Sequence, residues 1–173
     1  MFTPFTRILL IIGGIAMAIY LYTKSEYIAM AMSLFSALLF IYGYYKYGTV
    51  YIAFQELKKG KFDKVEKLVS KIKNPATLSK GQKSYYHFIQ GAITANNNEW
   101  EKSYTEFSKA LNIGLRTKND TSIVLLNLAN IEFERKNFEQ AKEFIRKVRE
   151  FDLKPTVELD VNKLEKEINA VQS

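Results

Sequence analysis

The chain has 173 residues, a formal net charge of +7, one histidine and no cysteine. The lack of cysteine excludes disulfides and thiolate chemistry, and a single histidine gives no basis for a zinc site of the usual Cys/His type, so we predict neither a metal nor a cofactor. This length accommodates one modest domain together with a membrane anchor.

Two N-terminal segments carry no charge, residues 8–23 and 27–45, and only Arg7, Lys24 and Glu26 are charged before Lys46. The second segment has nineteen residues, which as a helix reach across a hydrocarbon core of about 30 Å. We therefore predict a transmembrane helical hairpin over residues 1–45. One alternative is a cleaved secretory signal over the first segment, and another is a buried soluble hairpin.

Small residues recur every four positions in both segments: Gly14 and Ala18 in the first, and Ala29, Ser33 and Ala37 in the second. This spacing lets two helix backbones approach closely in lipid, although membrane helices are in general rich in such residues.

The distribution of Lys and Arg indicates an orientation for the hairpin. Its turn carries only Lys24, whereas its two flanks carry Arg7 and Lys46, with four more lysines between positions 58 and 64. The positive-inside tendency then places both termini in the cytoplasm. We predict an integral protein of a bacterial inner membrane whose remaining domain is cytoplasmic.

Helical spacing continues beyond the second segment. Val50, Phe54 and Leu57 are separated by four and three residues and no proline intervenes, which predicts one unbroken helix from Tyr27 to Lys59. This helix would serve as the first helix of the following domain.

A 38-residue period organises the rest of the chain. It separates the aromatic residues Phe62, Trp100 and Phe138, each of which follows a turn rich in Gly, Asn and Lys. Residues at matching positions after them are Val65, Ser103 and Ala141, then Val69, Phe107 and Ile145, then Ile72, Ala110 and Val148; small residues at a matching position before them are Ala53, Gly91 and Ala129. Self-similarity at such a period is typical of helical repeat proteins, and we expect Trp100 to be buried between the two helices of its repeat.

This pattern resembles the tetratricopeptide repeat over residues 46–154, most clearly from Leu125 to Val148, although the period is 38 rather than the family's 34. The resemblance implies an all-α chain in which the hairpin precedes an α-solenoid of about three helix pairs, in a domain over residues 46–173. The predicted repeats are 46–83, 84–121 and 122–154, with a capping helix over 155–171. Ser79 with Gln82 predicts a capping box, Gly114 a helix end and Pro155 a helix start. The apolar stripe of the last helix could alternatively be a coiled-coil seam.

The sequence shows no catalytic constellation. His87 lies among aromatic residues on a predicted helix without a paired acid, which favours a structural histidine, and the acidic residues are scattered along helix faces. We therefore predict that the chain is not an enzyme.

Two features could carry binding. The resemblance implies a concave groove for a peptide or helix of a protein partner, lined by Tyr47, Phe54, Tyr85, Phe88, Asn127 and Asn130; the alternative is that its aromatic residues pack against the neighbouring repeat. A basic block follows the membrane segment, comprising Lys58, Lys59, Lys61, Lys64, Lys67, Lys71 and Lys73. It suits anionic lipid better than nucleic acid, since it contains no arginine, although a solvated face would look the same.

The features together predict a membrane-anchored adaptor or scaffold that binds a protein partner or assists assembly of a membrane complex. The alternative function is that of a small integral subunit of a transport or secretion machine, in which the hairpin is the functional part.

Overall fold

The computed structural model describes residues 4–172, except for the side chains of residues 4–7, 44–47 and 172. Within this range the regular structure is helical, which confirms the predicted all-α class. The helices are α1 (Pro4–Thr23), α2 (Tyr27–Leu57), α3 (Phe62–Val69), α4 (Lys80–Asn96), α5 (Trp100–Ile113), α6 (Lys118–Glu134), α7 (Phe138–Arg149) and α8 (Pro155–Gln172), with a 3-10 turn at Pro75–Thr77. The chain divides into two compact units, Met1–Ile52 and Ala53–Ser173.

The first unit is a hairpin of α1 and the first part of α2, in contact through small residues. The Ser33 hydroxyl donates to the Gly14 carbonyl at 2.9 Å, and a Cβ added at Gly14 would lie 3.3 Å from Cβ of Ala37. Ala18 and Ala37 are buried, whereas the large apolar side chains around them point outward. The close approach that the small residues allow therefore holds the hairpin together.

Among the described residues, no single helix is both long and apolar enough to cross a membrane; Tyr27–Gly43 and Gly48–Leu57 reach that requirement only as a pair, across a bend of 42°. The expectation of one unbroken helix to Lys59 is thus corrected, because α2 bends and ends at Leu57. Gly43 and Gly48 flank the bend, and glycine weakens a helix by about 1 kcal/mol relative to alanine.

In the second unit, the 38-residue period of the sequence is also a period of the backbone. Helices α3, α5 and α7 begin at Phe62, Trp100 and Phe138. Two residues before each start, the backbone is left-handed, with φ of 70° at Gly60, 58° at Asn98 and 63° at Lys136. In each turn the next N–H donates to a carbonyl five residues earlier: Lys61 to Glu56 at 3.1 Å, Glu99 to Thr94 at 2.9 Å and Asn137 to Glu132 at 2.8 Å. One type of turn therefore ends the first helix of each pair and directs the chain into the second.

The turn between α1 and α2 has the same form. Ser25 has φ of 59°, the Glu26 N–H donates to the Leu21 carbonyl at 3.1 Å, and α2 begins at Tyr27.

Small residues let the paired helices α4 and α5 approach closely. Gly91 is buried on α4, and a Cβ added there would lie 2.8 Å from the ring of Phe107 on α5. The Ser103 hydroxyl donates to the Gly91 carbonyl at 2.8 Å. This bond explains why serine stands where the repeat pattern favours alanine, since a buried hydroxyl needs a partner.

Helix α8 covers the end of the last pair. Its residues Val157, Val161, Leu164 and Ile168 are buried, and Arg149 of α7 donates to Glu165 at 2.8 Å and to Asn162 at 2.5 Å. The start of α8 at Pro155 agrees with the sequence prediction, as do the end of α5 before Gly114 and the hydrogen bond from the Ser79 N–H to Gln82 at 3.1 Å.

Two expectations need correction. The predicted repeat limits 84 and 122 fall four residues inside α4 and α6, which begin at Lys80 and Lys118. Trp100 is half-buried rather than buried, as are Phe62 and Phe138. Each of these aromatics is the first residue of its helix, where one side of the ring faces solvent, whereas the residue three places on is fully buried each time.

Candidate functional site

Two of the four aromatic residues of the predicted groove, Phe54 and Phe88, are packed inside the second unit. Phe54 and Phe88 are only 6% and 5% exposed, and their ring centroids lie 5.2 Å apart; Phe88 also lies 5.9 Å from Phe107. These two rings are therefore unavailable to a partner, and the groove prediction is corrected for them. The side chain of Tyr47 lies outside the described residues.

Tyr85 joins this cluster to a buried carboxylate. Its ring lies 4.7 Å from that of Phe54, and its hydroxyl donates to Asp120 at 2.5 Å. Lys58 Nζ lies 3.9 Å from Asp120 and 4.4 Å from the centre of the Phe54 ring. Burial, together with the hydrogen bond to Asp120 and the charge of that carboxylate, raises the pKa of Tyr85 well above its ordinary value. The phenol thus stays protonated and acts as a donor that joins α4 to α6.

Asn127 and Asn130 lie elsewhere, at a cleft between α6 and α8. The cleft has a volume of about 380 Å³ and an apolar floor formed by Ile123, Leu126, Val157 and Leu164. Its rim holds the two asparagines together with Thr156, Asp160, Lys163 and Glu167 of α8. We call this feature the α6–α8 cleft.

The hydrogen bonds of the two asparagines orient their amide groups. Asn127 Nδ2 donates to the Ile123 carbonyl at 2.8 Å, and Asn130 Nδ2 donates to the Leu126 carbonyl at 3.0 Å. Each NH2 group thus uses one of its two N–H donors within its own helix, and each amide oxygen can accept a hydrogen bond from a ligand. With the carboxylates of Asp160 and Glu167, the rim of the cleft is rich in acceptors, which suits a partner that presents N–H or cationic groups.

Sequence reasoning found the asparagines but missed the α8 side of the cleft. A signal for it exists. Thr156, Asp160, Lys163 and Glu167 are spaced by four, three and four residues, and each stands one position before a buried residue of α8. A polar stripe beside an apolar stripe marks the border of a buried helix face.

A second cleft, of about 530 Å³, lies between α4 and α5 and is lined by His87 and Glu106. His87 Nδ1 lies 2.7 Å from Glu106, and Lys109 donates to the same carboxylate at 2.6 Å. Burial acts to raise the pKa of Glu106, but the hydrogen bonds from Lys109 and His87 prevail and hold it below its ordinary value. The expectation of a histidine without a paired acid is therefore corrected, because the neighbouring helix α5 brings the part-buried carboxylate of Glu106 to His87.

The basic block divides into two groups. Lys59 donates to Glu56 at 2.7 Å and lowers the pKa of that carboxyl, and Lys58 is directed at Asp120 and the Phe54 ring. The other five lysines of the basic block are exposed and form no ion pair within the described part of the chain. We call these five the lysine row: Lys61, Lys64, Lys67, Lys71 and Lys73.

Comparison with known proteins adds no family to this description. No protein-family model matches the sequence, and neither a curated protein nor a solved structure matches it. The resemblance to tetratricopeptide repeats therefore remains one of sequence pattern, and the helical architecture is compatible with an α-solenoid in general.

Proposed function

We propose that this chain is a membrane-anchored adaptor that holds a protein partner at the α6–α8 cleft. The observation that carries the proposal is the division of exposed apolar surface between the two units. Within the described residues, all of the strongly exposed large apolar side chains except Leu159 and Val171 lie in the first unit. The exterior of the hairpin is thus suited to lipid and that of the second unit to water.

The anchor is the hairpin. Residues 8–23 and 27–45 carry no charge, and their outward side chains are mainly Ile, Leu, Met, Phe and Tyr. In lipid these side chains would need no further cover, while the contact of Gly14 with Ser33 and Ala37 supplies the packing between helices. The excess of Lys and Arg on the terminal flanks supports a cytoplasmic second unit.

The partner site is the α6–α8 cleft. Its acceptor-rich rim and apolar floor suit a helix or extended segment that presents basic or N–H groups. Two carboxylates, Asp160 and Glu167, supply the negative charge, and the nearest cation, Lys163, is 3.8 Å from Glu167.

The test uses the full chain, crosslinked in membranes, extracted with detergent and analysed by mass spectrometry. Asp160→Lys with Glu167→Lys should abolish the crosslinks to a partner. The matched control is Asp152→Lys with Glu158→Lys, which changes the same charge at exposed positions outside the cleft. If both variants keep the partner, the cleft is not its site.

The anchoring is tested separately. The full chain should float with neutral phospholipid vesicles and resist extraction at alkaline pH, and a reporter fused at Ser173 should be active only if it functions in the cytoplasm. A further variant replaces the hairpin by an unrelated anchor. If this variant loses the partner while the cleft variant still binds it, the hairpin is itself the functional part, as in a subunit of a transport or secretion machine.

A further inference from the structure

The lysine row is a concentrated positive surface, and none of its five lysines forms an ion pair within the described part of the chain. Its segment, residues 61–73, contains five lysines but only Asp63 and Glu66 as acidic residues. Some lysines of other helices are paired within one turn, such as Lys109 with Glu106 at 2.6 Å and Lys147 with Glu143 at 2.7 Å. Like charges that remain unpaired repel one another, so an external anion would relieve this repulsion.

The geometry of α3 places two lysines of the row on one face of the helix. Val65 and Val69 of α3 are buried inside the second unit. Lys64 and Lys67 are separated by three residues, which places them on the same face of the helix. Asp63 and Glu66 precede them by one position each and lie on the neighbouring face. Lys71 and Lys73 follow in the turn after α3, where cations are favoured by the helix dipole.

We propose that the lysine row binds the anionic headgroups of the membrane surface, and so presses α3 against the bilayer. The inference rests on the proposed anchoring, because it is the hairpin that brings a lipid surface within reach. The row begins sixteen residues after Tyr45, the end of the uncharged segment. Lysine suits this task as a flexible point charge that attracts many phosphates without a fixed geometry.

The experiment measures the acetylation rate of each lysine by mass spectrometry, using a membrane-impermeant reagent and the full chain in vesicles. Vesicles of phosphatidylcholine alone are compared with vesicles that also contain phosphatidylglycerol. Lysines of the row should react several-fold more slowly in the anionic vesicles, roughly fivefold for each lysine in contact with the surface, and high salt should restore the rate. The acetylation rates of Lys102 and Lys147, which lie outside the lysine row, should be the same in the two kinds of vesicle.

A charge-reversal variant gives a second readout. Lys64→Glu, Lys67→Glu and Lys71→Glu together should remove the protection of the remaining Lys61 and Lys73. The matched control reverses three exposed lysines elsewhere, Lys118, Lys154 and Lys166, and should leave that protection intact. Because all six side chains are exposed, neither variant disturbs the core.

Other outcomes would overturn the inference. Equal rates in the two kinds of vesicle would remove lipid as the ligand. Protection in neutral vesicles by inorganic phosphate alone would make the row a phosphate-ion site, and protection by poly(U) RNA without any effect of anionic lipid would make it a nucleic-acid surface. Flotation separates this inference from the proposed function. If the chain floats with neutral vesicles but phosphatidylglycerol does not protect its lysines, the hairpin is an anchor and the lysine row does not bind lipid. If the chain floats only with anionic vesicles, the lysine row binds lipid and the hairpin is not an anchor.

Discussion

Asp120 is the residue at which the helix pairs of the second unit meet. It is 4% exposed, its N–H donates to Thr117 at 3.0 Å at the start of α6, and its carboxylate accepts from Tyr85 of α4. A carboxylate this buried is stable only if its oxygens are well satisfied. The hydroxyl of Tyr85 therefore helps to hold α4 against α6, in addition to the contacts of the surrounding rings.

Tyr85→Phe should lower the free energy of unfolding by about 1–3 kcal/mol, because it leaves the buried Asp120 carboxylate without its closest donor. The matched control is Tyr86→Phe, whose half-buried hydroxyl accepts from Gln90 at 2.9 Å and whose loss should cost less than about 1 kcal/mol. Urea unfolding followed by the fluorescence of Trp100, the only tryptophan in the chain, measures both. Equal losses in the two variants would contradict this role of Tyr85.

The lowered pKa of Glu106 predicts a dependence of stability on pH. A carboxyl whose pKa is lower in the folded than in the unfolded state stabilises the fold above its unfolded value, and this contribution disappears as pH falls through the folded value. Glu106→Gln should therefore be less stable than the parent by about 1 kcal/mol at pH 6, and this difference should shrink between pH 6 and pH 3. Thermal unfolding at the two pH values measures the difference. The exposed Glu66→Gln serves as control, and a gap for Glu106→Gln that is as large at pH 3 as at pH 6 would disprove the electrostatic cause.

Among elements, the contact between α4 and α5 is the closest, and Gly91 determines its distance. Gly91→Ala should lower the free energy of unfolding by about 1–3 kcal/mol, because the new methyl group would lie 2.8 Å from the Phe107 ring. Gly81→Ala on the same helix should instead raise it by about 0.5–1 kcal/mol, since nothing lies within 4 Å of that position. Chemical denaturation of both variants measures the difference. An unchanged free energy of unfolding in Gly91→Ala would show that α4 and α5 can move apart without cost.

The sequence predicted elements where the signal was local or periodic. Gly114 and Pro155 mark helix ends through backbone constraints that act within a few residues, and the 38-residue period singled out Gly91 and Ser103 from their spacing alone. The α8 rim of the α6–α8 cleft was missed because the cleft exists only where α8 packs beside α6, and the spacing along α8 does not reveal its neighbour. The sequence left open whether Phe54 and Phe88 line a groove or pack against the neighbouring repeat, since spacing along one helix does not reveal how closely the neighbouring helices approach.

For the whole molecule, the two compact units predict two separate unfolding events in detergent. Urea should unfold the second unit first, because the apolar hairpin would be covered by detergent and its backbone hydrogen bonds lie within its own helices. Trp100 fluorescence reports only the second unit. It should change at a lower urea concentration than that at which the remaining helical circular dichroism signal is lost. Coincident transitions by the two probes would indicate a single cooperative unit instead.

The left-handed turn at Ser25 has a broader consequence, because it is the turn found again at Gly60, Asn98 and Lys136. The hairpin and the three helix pairs are then variants of one backbone module, and what distinguishes them is the chemistry of their outward side chains. Residence in lipid or in water becomes a matter of surface composition rather than of architecture. If the hairpin is the anchor that we propose, exchanging its outward Ile, Leu and Phe for Lys, Glu and Gln should give it a surface as polar as that of the other modules.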